Sequence, residues 1–276
     1  MTRILAIANQ KGGVGKTTTC VNLAASLAAM KKRVLLVDLD PQGNATMGSG
    51  IDKHQVERSI YDVLVHETAV EHVALLAAES GFEVLPANSD LTAAEVELLE
   101  VDHKERRLRN SLEKCHGRYD FILIDCPPSL NMLTLNGLVA ADGVIIAMQC
   151  EYYALEGLSA LIGTITQVAE TVNPALEVVG ILRTMYDPRN SLTNEVSDQL
   201  ESHFGDKLYR TVVPRNVRLA EAPSYGLPII HYDSKSRGAK AYLAFAGEVV
   251  RREEESALAR QAASGAISSE GDYSWR

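Results

Sequence analysis

The chain has 276 residues, of which 46% are hydrophobic, so it is long enough to bury a sizeable core. Its formal net charge of −9, taken alone, argues against a nucleic-acid partner. No apolar run approaches the ~20 residues that a membrane-spanning helix needs, and the first residues lack the layout of a signal peptide. We therefore expect a cytoplasmic protein with no membrane partner.

Apolar runs alternate with segments of helical character along the chain. The predicted strands cover residues 3–8, 33–38, 82–87, 119–125, 143–149, 176–184 and 207–214. The predicted helices cover residues 16–30, 91–100, 104–115, 130–141 and 154–172. Residues 39–60 are predicted to form a loop.

The predicted strands are apolar on both faces, which is typical of a parallel sheet covered by helices on both sides. Their alternation with helices predicts an α/β fold: a single doubly wound domain with a mostly parallel sheet. We expect this domain to cover residues 1–255. The small and polar residues 256–276 are predicted to form a disordered tail.

The stretch NQKGGVGKTTT, residues 9–19, lies between the first predicted strand and the first predicted helix. Its glycines let the backbone wrap closely around phosphate oxygens, and the helix amino end adds positive potential. Lys16 is placed to neutralise phosphates and Thr17 to bind Mg²⁺ through its hydroxyl. A glycine-rich turn without a ligand is the alternative. The residues predicted to bind nucleotide are Gly12, Gly13, Val14, Gly15, Lys16, Thr17 and Thr18.

Acidic residues follow two predicted strands, at the edge of the sheet where ligands bind in open α/β folds. Asp38 and Asp40 lie two residues apart in DLDPQGN, so their side chains point to the same side. Either carboxylate could reach a Mg²⁺ shell or an attacking water, or Asp38 could cap the turn before Pro41. Asp125 ends a buried strand, where an acid near Mg²⁺ is needed in a phosphate-loop NTPase.

Four motifs together resemble the ParA/Soj family of chromosome- and plasmid-partitioning ATPases: KGGVGKTT, DLDPQGN, DCPPSL and VPRNVRLAEAPSYGLPI. The resemblance covers about residues 3–250. This family belongs to the class of P-loop NTPases with a deviant Walker A motif, which also includes MinD and the nitrogenase iron protein. Gln10, where the usual motif has Gly, and the second lysine, Lys11, are features of that deviant motif.

The resemblance implies an ATPase that uses ATP and Mg²⁺ and forms a sandwich dimer with two nucleotides at the interface. Lys11 matches the lysine that crosses to the nucleotide of the partner subunit, and Lys16 the lysine that serves its own. Asp40 matches the aspartate that orients the hydrolytic water. The implied catalytic residues are thus Lys11, Lys16 and Asp40, and the implied metal site consists of Thr17, Asp40 and Asp125.

The resemblance also implies contacts to the rest of the nucleotide and to DNA. Pro214, Arg215 and Asn216 match a segment near the adenine, and Glu151 matches an acid that can reach the ribose. Arg189 and Arg218 match basic positions that bind DNA. The family's ATP-bound dimer binds double-stranded DNA without sequence preference, on the nucleoid, and a ParB-like centromere-binding partner stimulates hydrolysis and release.

The charge distribution alone does not establish DNA binding. Residues 207–240 contain seven Lys or Arg and two Asp or Glu residues, so this segment is net +5, although its charge alone favours an ordinary solvated face. Without the resemblance, Arg189 is typical of a solvated loop and Arg218 of an ion pair with Glu221 on one helix face.

Two other functions remain open from the sequence. A MinD-like, membrane-associated positioning ATPase shares the motifs, but the last residues, SSEGDYSWR, lack a basic amphipathic helix. An ATP-dependent amidotransferase-type ligase could share the fold, but we find no Cys–His glutaminase module. The four cysteines form no CxxC pair and are expected to be reduced and mostly buried.

Overall fold

The computed structural model describes the backbone of residues 2–269 and the side chains of residues 2–259. Within these residues, the chain forms the strands β1 (Arg3–Ala8), β2 (Val34–Asp38), β3 (Leu75–Ala77), β4 (Phe82–Leu85), β5 (Phe121–Asp125), β6 (Gly143–Gln149), β7 (Glu177–Tyr186) and β8 (Leu208–Pro214). They join in one sheet in the order β3-β4-β2-β5-β1-β6-β7-β8. The pairings are parallel except between β3 and β4.

Most of the connections between strands contain helices. The helices are α1 (Lys16–Ala29), α2 (Asn44–Gly48), α3 (Ile60–Val65), α4 (Leu91–Glu97), α5 (Arg107–Glu113), α6 (Met132–Ala140), α7 (Ala154–Thr171), α8 (Ser191–Phe204), α9 (Val217–Glu221), α10 (Ile229–Tyr232) and α11 (Arg237–Ser269). Five short 3₁₀ turns cover Val70–His72, Leu98–Glu100, Lys104–Arg106, Gly205–Lys207 and Ala222–Tyr225. None of the helices in the described part of the chain is both long and apolar enough to cross a membrane.

Helices cover both faces of the sheet, because successive residues of each strand point to opposite faces. In β1, Leu5 and Ile7 belong to a core that also contains side chains of α1 and α11. Ile4 and Ala6 belong to a second core, built with α3 to α7. The predicted fold class, a doubly wound and mostly parallel sheet, is therefore confirmed.

Two predicted segments differ from the structure. The loop predicted over residues 39–60 contains helix α2 and the first residue of helix α3, so that prediction was wrong for residues 44–48 and for residue 60. The tail predicted from residue 256 begins inside α11, whose helical backbone continues to Ser269, and residues 270–276 lie outside the described residues. The domain boundary at residue 255 stays a prediction.

Candidate functional site

The loop between β1 and α1 has the backbone shape of a phosphate cradle. Gly13 and Gly15 have φ angles of +72° and +88°, in the left-handed region that favours glycine. A Cβ atom added at Gly12 or Gly13 would meet no heavy atom within 4 Å, so this side of the loop is open. The amino end of α1, a helix of 14 residues, adds partial positive charge at the same place.

Hydrogen bonds from neighbouring strands hold this loop in place. The Thr184 hydroxyl, near the end of β7, donates to the Val14 carbonyl over 2.7 Å. The Asn9 side-chain amide donates to the carbonyl of Ala147 in β6 over 2.8 Å, and its oxygen accepts the Lys11 amide at 2.9 Å. The loop shape is therefore fixed by the protein itself, which reduces the ordering cost of binding a ligand.

Lys16 is the cation at the centre of this loop. Its side chain is buried, and the ammonium group donates to the Lys11 carbonyl over 3.2 Å. Burial lowers the pKa of Lys16, whereas the nearby Asp125, Cys126 and Asp40 act in the opposite direction. A buried ammonium whose hydrogen-bonding capacity is incompletely used suits an anionic ligand.

A cavity of about 410 Å³ opens beside the loop, at the carboxyl ends of the strands. A cavity of this size can hold a small organic ligand. It brings together ten of the predicted site residues: Gly12, Gly13, Gly15, Lys16, Thr17, Thr18, Asp40, Pro214, Arg215 and Asn216. Val14 does not line it but contributes its carbonyl to the anchoring of the loop.

Several residues around the same cavity were missed by the sequence analysis. They are Asn44, Pro128, Thr184, Met185, Val213, Leu219, Ala220 and Tyr242. Thr184 could have been found, since it ends a predicted strand at the edge where ligands bind. Tyr242 could not, because no motif marks it and helix α11 had not been predicted.

Asp125 lies buried at the end of β5, opposite Asp38 in the adjacent strand β2. Its Oδ1 accepts a weak hydrogen bond from the Cys20 thiol at 3.5 Å, and its Oδ2 has no hydrogen-bond partner among the described residues. Burial and the Asp38 carboxylate raise the pKa of Asp125 to about 8, although Thr17 and Cys20 oppose the rise. An uncompensated carboxylate of this kind fits a site for a cation.

The structure distinguishes between the two roles considered for Asp38, which are a Mg²⁺ or water contact and a cap of the turn before Pro41. Its carboxylate accepts hydrogen bonds from the Thr46 amide at 2.8 Å, the Thr46 hydroxyl at 2.7 Å and the Asp40 amide at 3.1 Å. Burial raises the pKa of Asp38 to about 6, and these bonds limit the increase. Asp38 thus shapes the loop that carries Asp40 and joins it to α2.

The described residues contain no group of three or more His, Cys, Asp or Glu side chains arranged to hold a metal. Mg²⁺ commonly uses one or two protein ligands together with phosphate oxygens and water. The Thr17 hydroxyl and the Asp40 carboxylate at the cavity and the buried Asp125 behind it supply oxygens of the right kind.

Besides Val14 and Asp125, four predicted site residues lie outside the cavity. Lys11 is exposed and forms an ion pair with the half-buried Glu151. The Arg189 side chain is 88% exposed and pairs with Asp187 at 2.7 Å. Arg218 pairs with Glu221 at 2.9 Å and with Asp233 at 3.7 Å, as expected for the structural alternative, which leaves its DNA role a prediction.

A larger cavity, of about 910 Å³, lies at the opposite edge of the sheet. Its lining includes Arg3, Glu177 and Leu208, the first residues of β1, β7 and β8. Ligands of open α/β folds bind at the carboxyl ends of the strands instead. The smaller cavity, with the phosphate loop, is therefore the candidate site.

The fold and this loop define a P-loop NTPase of the deviant Walker A class. A family model described as an AAA domain matches residues 2–178. The ParA chromosome partitioning protein of Caulobacter vibrioides is 51% identical over 255 residues, covering 92% of this chain and 96% of that relative. The sporulation initiation inhibitor protein Soj of Bacillus subtilis is 53% identical over 249 residues, covering 90% and 98%. The chain belongs to the ParA/Soj family of partitioning ATPases.

Solved structures share the whole fold. Cobyrinic acid a,c-diamide synthase from Mycobacterium smegmatis, with bound ADP and magnesium, is 38% identical with a TM-score of 0.81, covering 92% of this chain and 96% of that chain. The septum site-determining protein MinD from Pyrococcus horikoshii, complexed with Mg-ADP, is 28% identical with a TM-score of 0.75, covering 90% and 96%. Both are less similar to this chain in sequence than the two partitioning proteins are.

Proposed function

We propose that this chain is a DNA segregation ATPase whose affinity for DNA is controlled by ATP. The observation that carries the proposal is the 410 Å³ cavity in which the phosphate loop, Asp40 and residues 214–216 meet. The triphosphate lies along Gly12 to Thr18, and the adenine lies near Pro214. The Mg-ADP-bound relatives of the same fold support this assignment.

The proposed chemistry is hydrolysis of ATP to ADP and phosphate. Lys16 neutralises the phosphates, and the half-buried Asp40 at the cavity orients the attacking water. Thr17, Asp40 and Asp125 hold Mg²⁺, directly or through water. Mg²⁺, when bound, neutralises charge on the phosphate oxygens.

The active form in this proposal is a dimer with two ATP molecules at its interface. Lys11 lies at the outer edge of the phosphate loop, with its side chain 54% exposed. It is therefore free to turn toward the nucleotide of a second subunit once its pair with Glu151 opens. Glu151 is then available for the ribose.

DNA binding in this proposal rests on Arg189 and Arg218, together with the net +5 segment of residues 207–240. A single subunit offers few cations for phosphate contacts, so its binding is weak. Dimerisation doubles the number of cations on one rigid body, which raises affinity through effective concentration. A ParB-like partner then stimulates hydrolysis and releases the DNA. The ATP-bound dimer is associated with the nucleoid.

An amidotransferase-type ligase is the second candidate, favoured by the 38% identity to the Mycobacterium smegmatis synthase. A glutaminase needs an accessible, activated thiolate. Here all four cysteines are buried, and burial raises the pKa of each. The higher identity to partitioning proteins, 51% and 53%, also favours DNA segregation.

Sedimentation with DNA or with lipid vesicles distinguishes the remaining functions. We expect the protein to sediment with non-specific double-stranded DNA at low salt when ATP and Mg²⁺ are present, and much less with ADP. Vesicles containing anionic lipid should carry down little protein with either nucleotide. ATP-dependent binding to vesicles but not to DNA would instead support the MinD-like function.

A further inference from the structure

Three adjacent strands end beside the phosphate loop, in the order β5, β1 and β6. The residues that follow them form what we call the edge surface: Leu130 after β5, Lys11 after β1, and Glu151, Tyr152 and Tyr153 after β6. Since the three strands are parallel, these residues lie at the same edge of the sheet. The edge surface therefore flanks the candidate nucleotide site.

Three large side chains with apolar area are exposed on this surface. Tyr152 and Tyr153 are 74% and 72% exposed, and Leu130 is 55% exposed. The two tyrosine rings pack edge to face, with centroids 5.0 Å apart. Neither tyrosine hydroxyl has a hydrogen-bond partner among the described residues. Paired aromatic rings beside a functional site are typical of a surface that another molecule covers.

The charges on the edge surface indicate which kind of molecule this is. Lys11 and Glu151 form an ion pair, so the surface carries no net charge. A neutral surface does not suit a polyanion such as DNA or the headgroups of an anionic membrane. It does suit a second copy of itself, because a two-fold contact brings the same patch of both subunits together, and Lys11 and Glu151 give that patch both signs of charge.

We propose that Tyr152 and Tyr153 form an aromatic contact with a second copy of this chain in the ATP-bound dimer. This inference rests on the proposed function and assigns the residues that hold its dimer together. Opening of the Lys11–Glu151 pair frees both charges for the interface, while the tyrosines supply its apolar area. Aromatic side chains of this kind dominate the affinity of many protein interfaces.

Sedimentation velocity with a non-hydrolysable ATP analogue and Mg²⁺ tests the contact. The double variant Tyr152→Ala/Tyr153→Ala should have a dimer dissociation constant at least tenfold higher than that of the unmodified protein. Its affinity for a fluorescent ATP analogue, measured under conditions where the protein is monomeric, should change less than twofold. The Tyr152→Phe/Tyr153→Phe variant keeps the rings and should dimerise normally.

Tyr225→Ala is the matched control, because Tyr225 is 66% exposed, packs on Tyr232 and is not one of the residues of the edge surface. It should dimerise like the unmodified protein. An unchanged dimer dissociation constant in the double alanine variant would overturn this inference and leave the proposed function standing. Failure of the unmodified protein to dimerise with the ATP analogue would instead overturn both.

Discussion

A buried carboxylate with an unpartnered oxygen reduces the stability of the folded protein, and Asp125 illustrates this at the scale of one residue. Its folded pKa is about 8, far above the value near 4 of an unfolded aspartate. Between these values the folded state binds more protons than the unfolded state. The contribution of Asp125 to stability therefore falls as the pH rises from about 4 to 8.

Asp125→Asn removes this cost, so the variant should be more stable than the unmodified protein at pH 8 without Mg²⁺. We expect its Tm to be higher by on the order of 3 °C at pH 8, with a smaller difference at pH 5. Thermal unfolding followed by circular dichroism at both pH values measures the effect. A variant that is less stable than the unmodified protein at pH 8 would contradict this account of the site.

Asp120→Asn is a control variant, for which the expected change in stability has the opposite sign. Hydrogen bonds from Arg33 lower the pKa of Asp120 to about 2, so the ionised form stabilises the folded state. This stability is present above pH 4 and is lost only as the pH falls toward 2. Asp120→Asn should therefore lose a small amount of stability at both pH 5 and pH 8, since the pair is largely exposed.

At the scale of elements, the packing of β7 against β8 depends on the absence of a side chain at Gly180. A Cβ atom added there would lie 2.3 Å from the ring of Tyr209. That ring is buried and cannot retreat, because it packs edge to face on Phe245 with centroids 4.8 Å apart. The close approach keeps β7 in place, and β7 carries Thr184 to the phosphate loop.

Gly180→Ala should therefore destabilise the protein by about 1–3 kcal/mol through overpacking. Gly163→Ala is the matched control, since Gly163 lies exposed within α7 and nothing is within 4 Å of an added Cβ atom. This change should raise stability by roughly 0.5–1 kcal/mol, because alanine favours helix. Urea denaturation measures the free energy of unfolding of both variants, and equal changes in the two would contradict the packing account.

The central elements were predictable because their apolar runs are long and both faces are buried. Strands β1 and β6 have the predicted bounds, and helices α1 and α7 end one residue earlier than predicted. The short elements were not predictable. Strand β3 has three residues, two of them exposed, and pairs only at the sheet edge. Helix α2 depends on Asp38 bonding to Thr46, a contact that no local pattern shows.

Some residues of the candidate site could likewise be predicted from the sequence, and others could not. The phosphate loop was predictable from spacing alone, because phosphate binding needs glycines and a lysine in a fixed local order. Thr184 lies 170 positions along the chain from Val14, which it holds, and Tyr242 comes from the last helix. Such contacts depend on the assembled sheet. The ion pair between Lys11 and Glu151 is also visible only in the structure, whereas the pair between Arg218 and Glu221 was expected from their helical spacing.

At the scale of the whole molecule, an acidic protein must bind DNA through a local basic face. Arg218 belongs to the net +5 segment, and it is paired with Glu221 and Asp233. Exposed ion pairs of this kind contribute little to stability, so a phosphate can replace the acids. A dimer presents two copies of Arg218, and each copy should contribute to DNA binding.

Arg218→Glu should weaken DNA binding with ATP at least tenfold at low salt and leave ATP affinity unchanged. The slope of log affinity against log salt should become shallower by about two in the dimer. Arg109→Glu is the matched control, because Arg109 forms an exposed ion pair with Glu113 on α5, outside the basic segment. Fluorescence anisotropy with a labelled duplex measures both. Equal losses of DNA affinity in the two variants would show that the total charge of the protein, rather than this basic face, determines DNA binding.

The central claim, that ATP controls DNA affinity, is tested most directly on Asp40→Ala. This variant should bind ATP and dimerise without turning over, because Asp40 lines the cavity and its proposed role is to orient the attacking water rather than to hold the phosphates. We predict that its affinity for a non-specific DNA duplex, measured by anisotropy at low salt with Mg²⁺, is at least tenfold higher with ATP than with ADP. Equal affinity with the two nucleotides would contradict the account.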